Sequence, residues 1–166
     1  MAKPKQQCAM QILTLDYLID GTVDLDDELI CIFEGGSGYY EARDTLTITS
    51  ARIQPAGNLT TPTTYAPQWM LSSRGGVVAF IPQDETGTQA LLKAAPGKTF
   101  SFRAVIYAGP YIIQASLLPG DLFERSAFIH AQDAEINCQV PGAQLKAFTA
   151  PWILFNIELV QGYHPA

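Results

Sequence analysis

Shifted by 83 residues, half of its 166, this chain matches itself. Tyr17 falls on Phe100, Ile19 on Phe102, Val23 on Ile106 and Ile30 on Ile113 without a gap. Further along, Leu46 falls on Ile129, Ala51 on Ala134, Ile53 on Ile136, Leu71 on Leu154, Phe80 on Tyr163 and Pro82 on Pro165. The chain has 2 tryptophans, Trp69 and Trp152, and each lies 18 residues after its matching alanine. An Ala-Pro pair precedes each, Ala66-Pro67 and Ala150-Pro151, displaced by one residue. A fixed period points to a duplicated unit. A unit of about 80 residues buries too small a share of its surface to be robust alone, and two such units side by side share an apolar seam. The expected organisation is a first repeat over 1–84 and a second over 85–166, related by pseudo-twofold symmetry. A short helix over 88–95 is expected at the boundary, stopped by Pro96-Gly97.

Within a unit the periodicity is that of strands. Leu13, Leu15, Tyr17 and Ile19 alternate with Thr14, Asp16, Leu18 and Asp20, as in a strand with one buried face, and Asp20-Gly21 reads as a tight turn. Asp26 to Glu34 fits either a strand or a helical turn. Leu46 and Ile48 share one parity and Ala51 and Ile53 the other, so a turn or bulge is expected near Thr49-Ser50. The same slip recurs near Gln132-Asp133. Gly35 to Gly38, Asn58 to Thr64 and Pro141 to Thr149 read as loops. The expected fold is all-β with one or two short helices, arranged as two tandem small β-barrels.

Charged residues make up 16% of the chain, against about 25% for an ordinary soluble domain. That deficit leads us to expect a surface covered by a second copy or a partner. The net charge of −6, with 10 basic residues scattered singly beyond Lys3 and Lys5, argues against binding to phosphate backbones, which needs clustered cations. Cys8, Cys31 and Cys138 form no CxxC pair, so no disulfide framework, metal or cofactor is expected. Asp16 and Asp20 interrupt the apolar run after Met10, so no signal peptide is expected. No stretch approaches the ~20 apolar residues of a membrane helix, and a cytoplasmic protein is expected.

The segment Phe128-Ile129-His130-Ala131-Gln132-Asp133-Ala134-Glu135 resembles the first signature of Sm and Sm-like proteins. Ile129 and Ala131 match its alternating apolar positions, and Asp133, Ala134 and Glu135 match its turn. Leu46, Ile48, Ser50 and Ala51 echo it in the first unit. The resemblance implies a small bent barrel with a short helix ahead of its first strand, and units that associate edge to edge. RNA-binding members carry an asparagine just before the first apolar position, where this chain has Thr45 and Phe128. RNA binding is therefore only the second alternative, and no binding residue is transferred.

Several residues are candidates for chemistry. His130 and Glu135 are expected to face away from the core on adjoining strands, close enough to touch, with Cys138 pointing inward beside Ile136. Thr47 and Arg52 hold the corresponding places in the first unit, so a polar cluster of His130 and Glu135 would exist once. No Gly-x-Ser-x-Gly elbow completes a hydrolase triad. Asp24, Asp26, Asp27 and Glu28 lack the glycine that a calcium loop needs at its sixth position, where Leu29 stands. Gly36-x-Gly38 is followed by Glu41 where a dinucleotide loop needs a third glycine, and Tyr39 and Tyr40 crowd it. Arg43 and Arg52 are too far apart for a cyclic-dinucleotide receptor. Trp69 and Trp152 suit core positions better than ligand stacking. The expected function is a non-catalytic oligomeric scaffold or binding module. A small-molecule binder or enzyme with a site at the seam, near His130 and Glu135, is the alternative.

Overall fold

The computed structural model describes residues 4–33, 45–56, 62–72, 76–95, 99–118, 128–139 and 147–166. The first half contributes β1 (Gln7–Thr14), β2 (Tyr17–Asp24), β3 (Thr45–Pro55), β4 (Thr64–Ser72) and β5 (Val77–Pro82). The second contributes β6 (Phe102–Ala108), β7 (Tyr111–Leu117), β8 (Phe128–Cys138), β9 (Phe148–Asn156) and β10 (Val160–Pro165). Helix α1 (Asp27–Phe33) lies between β2 and β3, and α2 (Glu85–Ala94) links the halves. The protein is mostly β, as its alternating patterns require.

Among the described residues ten strands join one antiparallel sheet in the order β10-β6-β7-β8-β9-β5-β1-β2-β3-β4, and its ladder does not close on itself. Each half runs fifth, first, second, third, fourth strand. The halves meet where β5 pairs with β9, through Ala79 opposite Phe155 and Phe80 opposite Leu154. The strands at this joint are not counterparts: one is the fifth of its half, the other the fourth.

The parity slips are bulges inside continuous strands. Ser50 and Asp133 have φ of 51° and 52°, in the left-handed region that side chains rarely occupy. The register on one side sets each opposite a proline, Ser50 against Pro67 and Asp133 against Pro151. Proline has no N–H to give a ladder. On the other side, β2 slips between Asp20 and Thr22, and β7 between Gln114 and Ser116. Two residues thus face one, which bends a strand.

The structure corrects three expectations about the repeat. The 83-residue match fails in the first two strands, because β1 corresponds to β6. Gln83 N–H donates to Ala9 O, and Ala166 N–H to Arg103 O, each at 3.0 Å, so Ala9 stands where Arg103 does. The pairings of Tyr17, Ile19, Val23 and Ile30 with Phe100, Phe102, Ile106 and Ile113 are therefore not equivalences. The cause is residues 25–44, a connector from β2 to β3 that carries α1, against the shorter 118–127 from β7 to β8. Second, Leu13 to Asp20 is no single strand. The Thr14 hydroxyl accepts from Tyr17 N–H at 2.9 Å and donates to Tyr17 O at 3.2 Å, closing a hairpin at Leu15-Asp16, and Asp20-Gly21 lies within β2. Third, the tryptophans are out of register: Trp69 pairs with Ile48, Trp152 with Gln132. The displaced Ala-Pro pair is the true landmark, since Ala66 pairs with Ala51 and Ala150 with Ala134.

Helix α2 begins earlier than the apolar pattern suggests, because Asp84 caps it. Its Oδ1 accepts from Gly87 N–H at 2.8 Å and its Oδ2 from Ala9 N–H at 2.7 Å, so one carboxylate starts the helix and pins it to β1. Two apolar clusters form the interior. One gathers second-half residues with Leu13, Leu18, Val78, Ala79 and Ile81 of the first half. The other gathers first-half residues with Leu91, Phe128 and Leu154. Each half contributes to the other's core, which a pair of independent beads would not do.

Candidate functional site

The structure does not assemble the expected polar cluster. His130 and Glu135 lie on the same strand, β8, about 15 Å apart at strand spacing. His130 is 4% exposed rather than facing solvent. It shares a parity with Phe128, which packs into the first-half cluster, and pairs with Leu154. The burial has a physical cause: 128–131 of β8 and 153–156 of β9 are covered on both faces, one by their own half and the other by the first. Glu135 is exposed, and Asn137 Nδ2 donates to its Oε1 at 3.5 Å. Cys138 is half-buried and its thiol donates to Ala56 O at 3.3 Å. Among the described residues no group of three His, Cys, Asp or Glu is placed to hold a metal ion.

The other candidates resolve into structure. Asp26 Oδ1 accepts from Leu29 N–H at 2.9 Å, which starts α1. Asp24 meets Lys5 Nζ at 3.4 Å and accepts from Gln7 Nε2 at 2.7 Å, tying β1 to β2. Trp69 and Trp152 both pack against the first-half cluster, edge-on to Tyr17 at 6.5 Å and to Phe100 at 5.3 Å respectively. The one-residue displacement puts Trp152 on the opposite face of its strand from Ile153, the residue in Trp69's register. Trp152 thus packs across the joint. Gly36 and Gly38, with Tyr39, Tyr40, Glu41 and Arg43, lie outside the described residues. Cys8 is a buried thiol rather than a nucleophile: desolvation, and then the Asp84 carboxylate, push its pKa up to about 12.

The described residues form recesses open to solvent, of which three bear on chemistry. A groove of about 420 Å³ runs between α1 and α2, floored by Leu25, Ile30, Ala90 and Ala94 and rimmed by Glu85 and Lys93. Two shallower hollows of about 390 Å³ sit at the bulges, one beside Ser50 with the Asp20–Arg52 pair, one beside Asp133 with Arg103 and Glu135. None brings a nucleophile to a base.

What the fold displays instead is a joint and two ends. At the joint, β5 is buried on both faces, as its unbroken run Val77-Val78-Ala79-Phe80-Ile81 demands. Phe80 stacks obliquely on Phe128 at 5.6 Å. Asn156 Nδ2, buried, donates to Val77 O at 3.0 Å, and the buried Tyr111 hydroxyl donates to Thr14 O at 2.8 Å. At the ends, among the described residues, no strand pairs with the outer edge of β4 or of β10. Tyr65 and Met70 on β4 are 73% and 56% exposed, and Tyr163 on β10 is 38% exposed. Tyr163 occupies the place of Phe80, which is 0% exposed. The sequence carries a usable signal here beyond apolar alternation: Val-Gln-Gly-Tyr-His-Pro in β10 is the polar rewriting of Val-Val-Ala-Phe-Ile-Pro in β5. Asn156 and Tyr111 had no comparable signal.

No protein-family model matches this chain, and searches of curated proteins and of solved structures returned no significant match. Among the described residues no helix is long and apolar enough to cross a membrane.

Proposed function

We propose that this protein is a non-catalytic scaffold, built from two Sm-like small-barrel units, that self-associates through the open ends of its sheet. The observation that carries the reading is the contrast between equivalent strands. β5 and β9 are paired and buried at the joint, whereas β10 and β4 leave their outer edges without a strand among the described residues. An open edge is a template for another chain, and proteins that keep one usually cover or blunt it. Here the edges carry Tyr65, Met70 and Tyr163 exposed, with few charges to repel a neighbour. The fifth-first-second-third-fourth order in each half supports the small-barrel part of the reading. In this reading the units are related head to tail rather than by the pseudo-twofold expected from sequence, because a twofold axis brings equivalent strands together.

Sedimentation over a wide concentration range tests it. Species heavier than the 18.1 kDa chain should grow with concentration. A single 18.1 kDa species throughout would overturn the proposal.

A further inference from the structure

We infer that the groove between α1 and α2 binds a small amphiphile, a carboxylate head on a short apolar tail. The scaffold reading neither requires nor forbids such a site.

The groove is an unfilled margin of the first-half core. Leu91 of α2 is buried in that cluster, while Leu25, Ala90 and Ala94 are only partly buried against it. Ala90 and Ala94 stand four residues apart on one face of α2, and their methyls fill little of the space beside α1. On α1, Leu29, Ile32 and Phe33 are buried, but Ile30, which borders the groove, is 38% exposed. Apolar surface thus lines a recess open to water, and an apolar tail laid there gains by excluding it. Among the described residues the second half has no counterpart. The 25–44 connector, which supplies Leu25 and α1, is the segment that breaks the repeat.

The chemistry of the head follows from the rim. Glu85, Gln89 and Lys93 succeed one another at four-residue spacing along α2 and border the groove. Gln89 Nε2 donates to Glu85 Oε1 at 2.6 Å, and Glu85 lies in the first turn, where the helix dipole favours its charge. The last turn favours the charge of Lys93 in the same way, but among the described residues no carboxylate pairs with it. Its ammonium is the charge free to take an anionic head. The tail's length follows from the helix. Lys93 and Thr86 lie about 10.5 Å apart along its axis, which matches an octanoate. The volume of about 420 Å³ falls at the low end of the roughly 300–1,000 Å³ of small-molecule sites. Walls of 7 and 10 residues are too short to cradle a partner helix.

Methyl-detected NMR of the natural chain, titrated with octanoate, tests this. The methyls of Leu25, Ile30, Ala90 and Ala94 should shift together and saturate. Hexanoate, shorter by two methylenes, should bind about tenfold more weakly. Octylammonium should bind at least about threefold more weakly than octanoate. Lys93→Met, on the exposed rim, should weaken octanoate about threefold and leave 1-octanol unchanged. Ala90→Phe, which fills the groove, should abolish the shifts at Leu25 and Ile30. Should that larger ring disturb the fold, Lys93→Met still decides the matter. Shifts that fail to saturate at millimolar octanoate, or that saturate on methyls outside the groove, would overturn the inference. Equal affinity for octanoate and octylammonium would overturn the carboxylate head. Shifts at these methyls that follow protein concentration without octanoate would give the groove to a second copy and overturn the inference too.

Discussion

The first and second halves share a strand order and a bulge but differ in what covers them. In the second half, 128–131 of β8 and 153–156 of β9 are sandwiched: Ile129, Ala131, Ile153 and Phe155 pack into one cluster, while Phe128 and Leu154 pack into the other. In the first half, the corresponding β3 and β4 bury only one side, with Leu46, Ile48 and Leu71 inward and Met70 outward. The last strands show the reverse, since β5 is buried and β10 is largely exposed. The same backbone position is core in one half and surface in the other because the chain pairs β5 with β9 and, among the described residues, leaves the outer edges of β4 and β10 without a strand. Composition follows: apolar residues stand where the joint is internal, polar or half-polar ones where it is not.

The largest expected effect comes from deleting the aromatic ring at the equivalent position of each half. Phe80→Ala should cost about 3–5 kcal/mol of unfolding free energy, as for a fully buried aromatic. Tyr163→Ala, measured at a dilution where the chain is single, should cost under about 1.5 kcal/mol. Urea unfolding followed by circular dichroism checks both, and equal losses would break the comparison.

The bulge provides the next contrast. A Cβ built on Gly21 would meet the Ile48 Cγ2 methyl, and would sit 3.0 Å from Thr49 O. The second half holds Ala115 opposite its own bulge, fully buried. Gly21→Ala should therefore cost about 1–3 kcal/mol through overpacking, read from the same unfolding curves. The left-handed residue on the facing strand should move the other way. Aspartate tolerates that region better than serine, so Ser50→Gly should gain more stability than Asp133→Gly, up to about 1 kcal/mol.

Alkaline pH should act on one buried group in each half. Burial, then the Asp84 charge, lifts Cys8 in the first half to about 12. Burial, then Cys138 and Asp16, lifts Tyr111 in the second. Both hold their protons more tightly folded than unfolded. The stability they contribute is complete below the unfolded thiol pKa of about 8.5, and it declines as pH rises from there through the folded value of Cys8. The urea midpoint should fall from pH 8.5 upward, and Cys8→Ala should flatten part of that fall. Thiol labelling in the native state should modify Cys138 before Cys8.

Much of the β architecture was legible because it rests on patterns of two. The apolar alternation gave the all-β class, and the parity slips at Thr49-Ser50 and Gln132-Asp133 located both bulges. The 83-residue repeat was legible in β3 and β5 alone: residues 25–44 add length before them that an ungapped shift cannot absorb, and β4 is offset by one residue, so that Leu71 corresponds to Phe155 and not to Leu154. A pair of rare residues misled: the tryptophans agree to within one position, yet one position in a strand exchanges its faces. The hairpin at Leu15-Asp16 was hidden because a threonine hydroxyl, not a glycine, makes the turn. His130 read as surface because parity within β8 says which way a side chain points but not whether a second layer covers that side. That cover comes from the other half, and no local pattern reports it.

Amide hydrogen exchange read at low and at high protein concentration tests the reuse of the joint most directly. The amides of β5 and β9, already locked together inside the chain, should exchange slowly at both. Protection should rise with concentration in 64–72 and 160–165, the two outer strands, and in both together. Exchange in those strands that ignores concentration, or protection that rises in only one of them, would contradict a joint made once within the chain and again between chains.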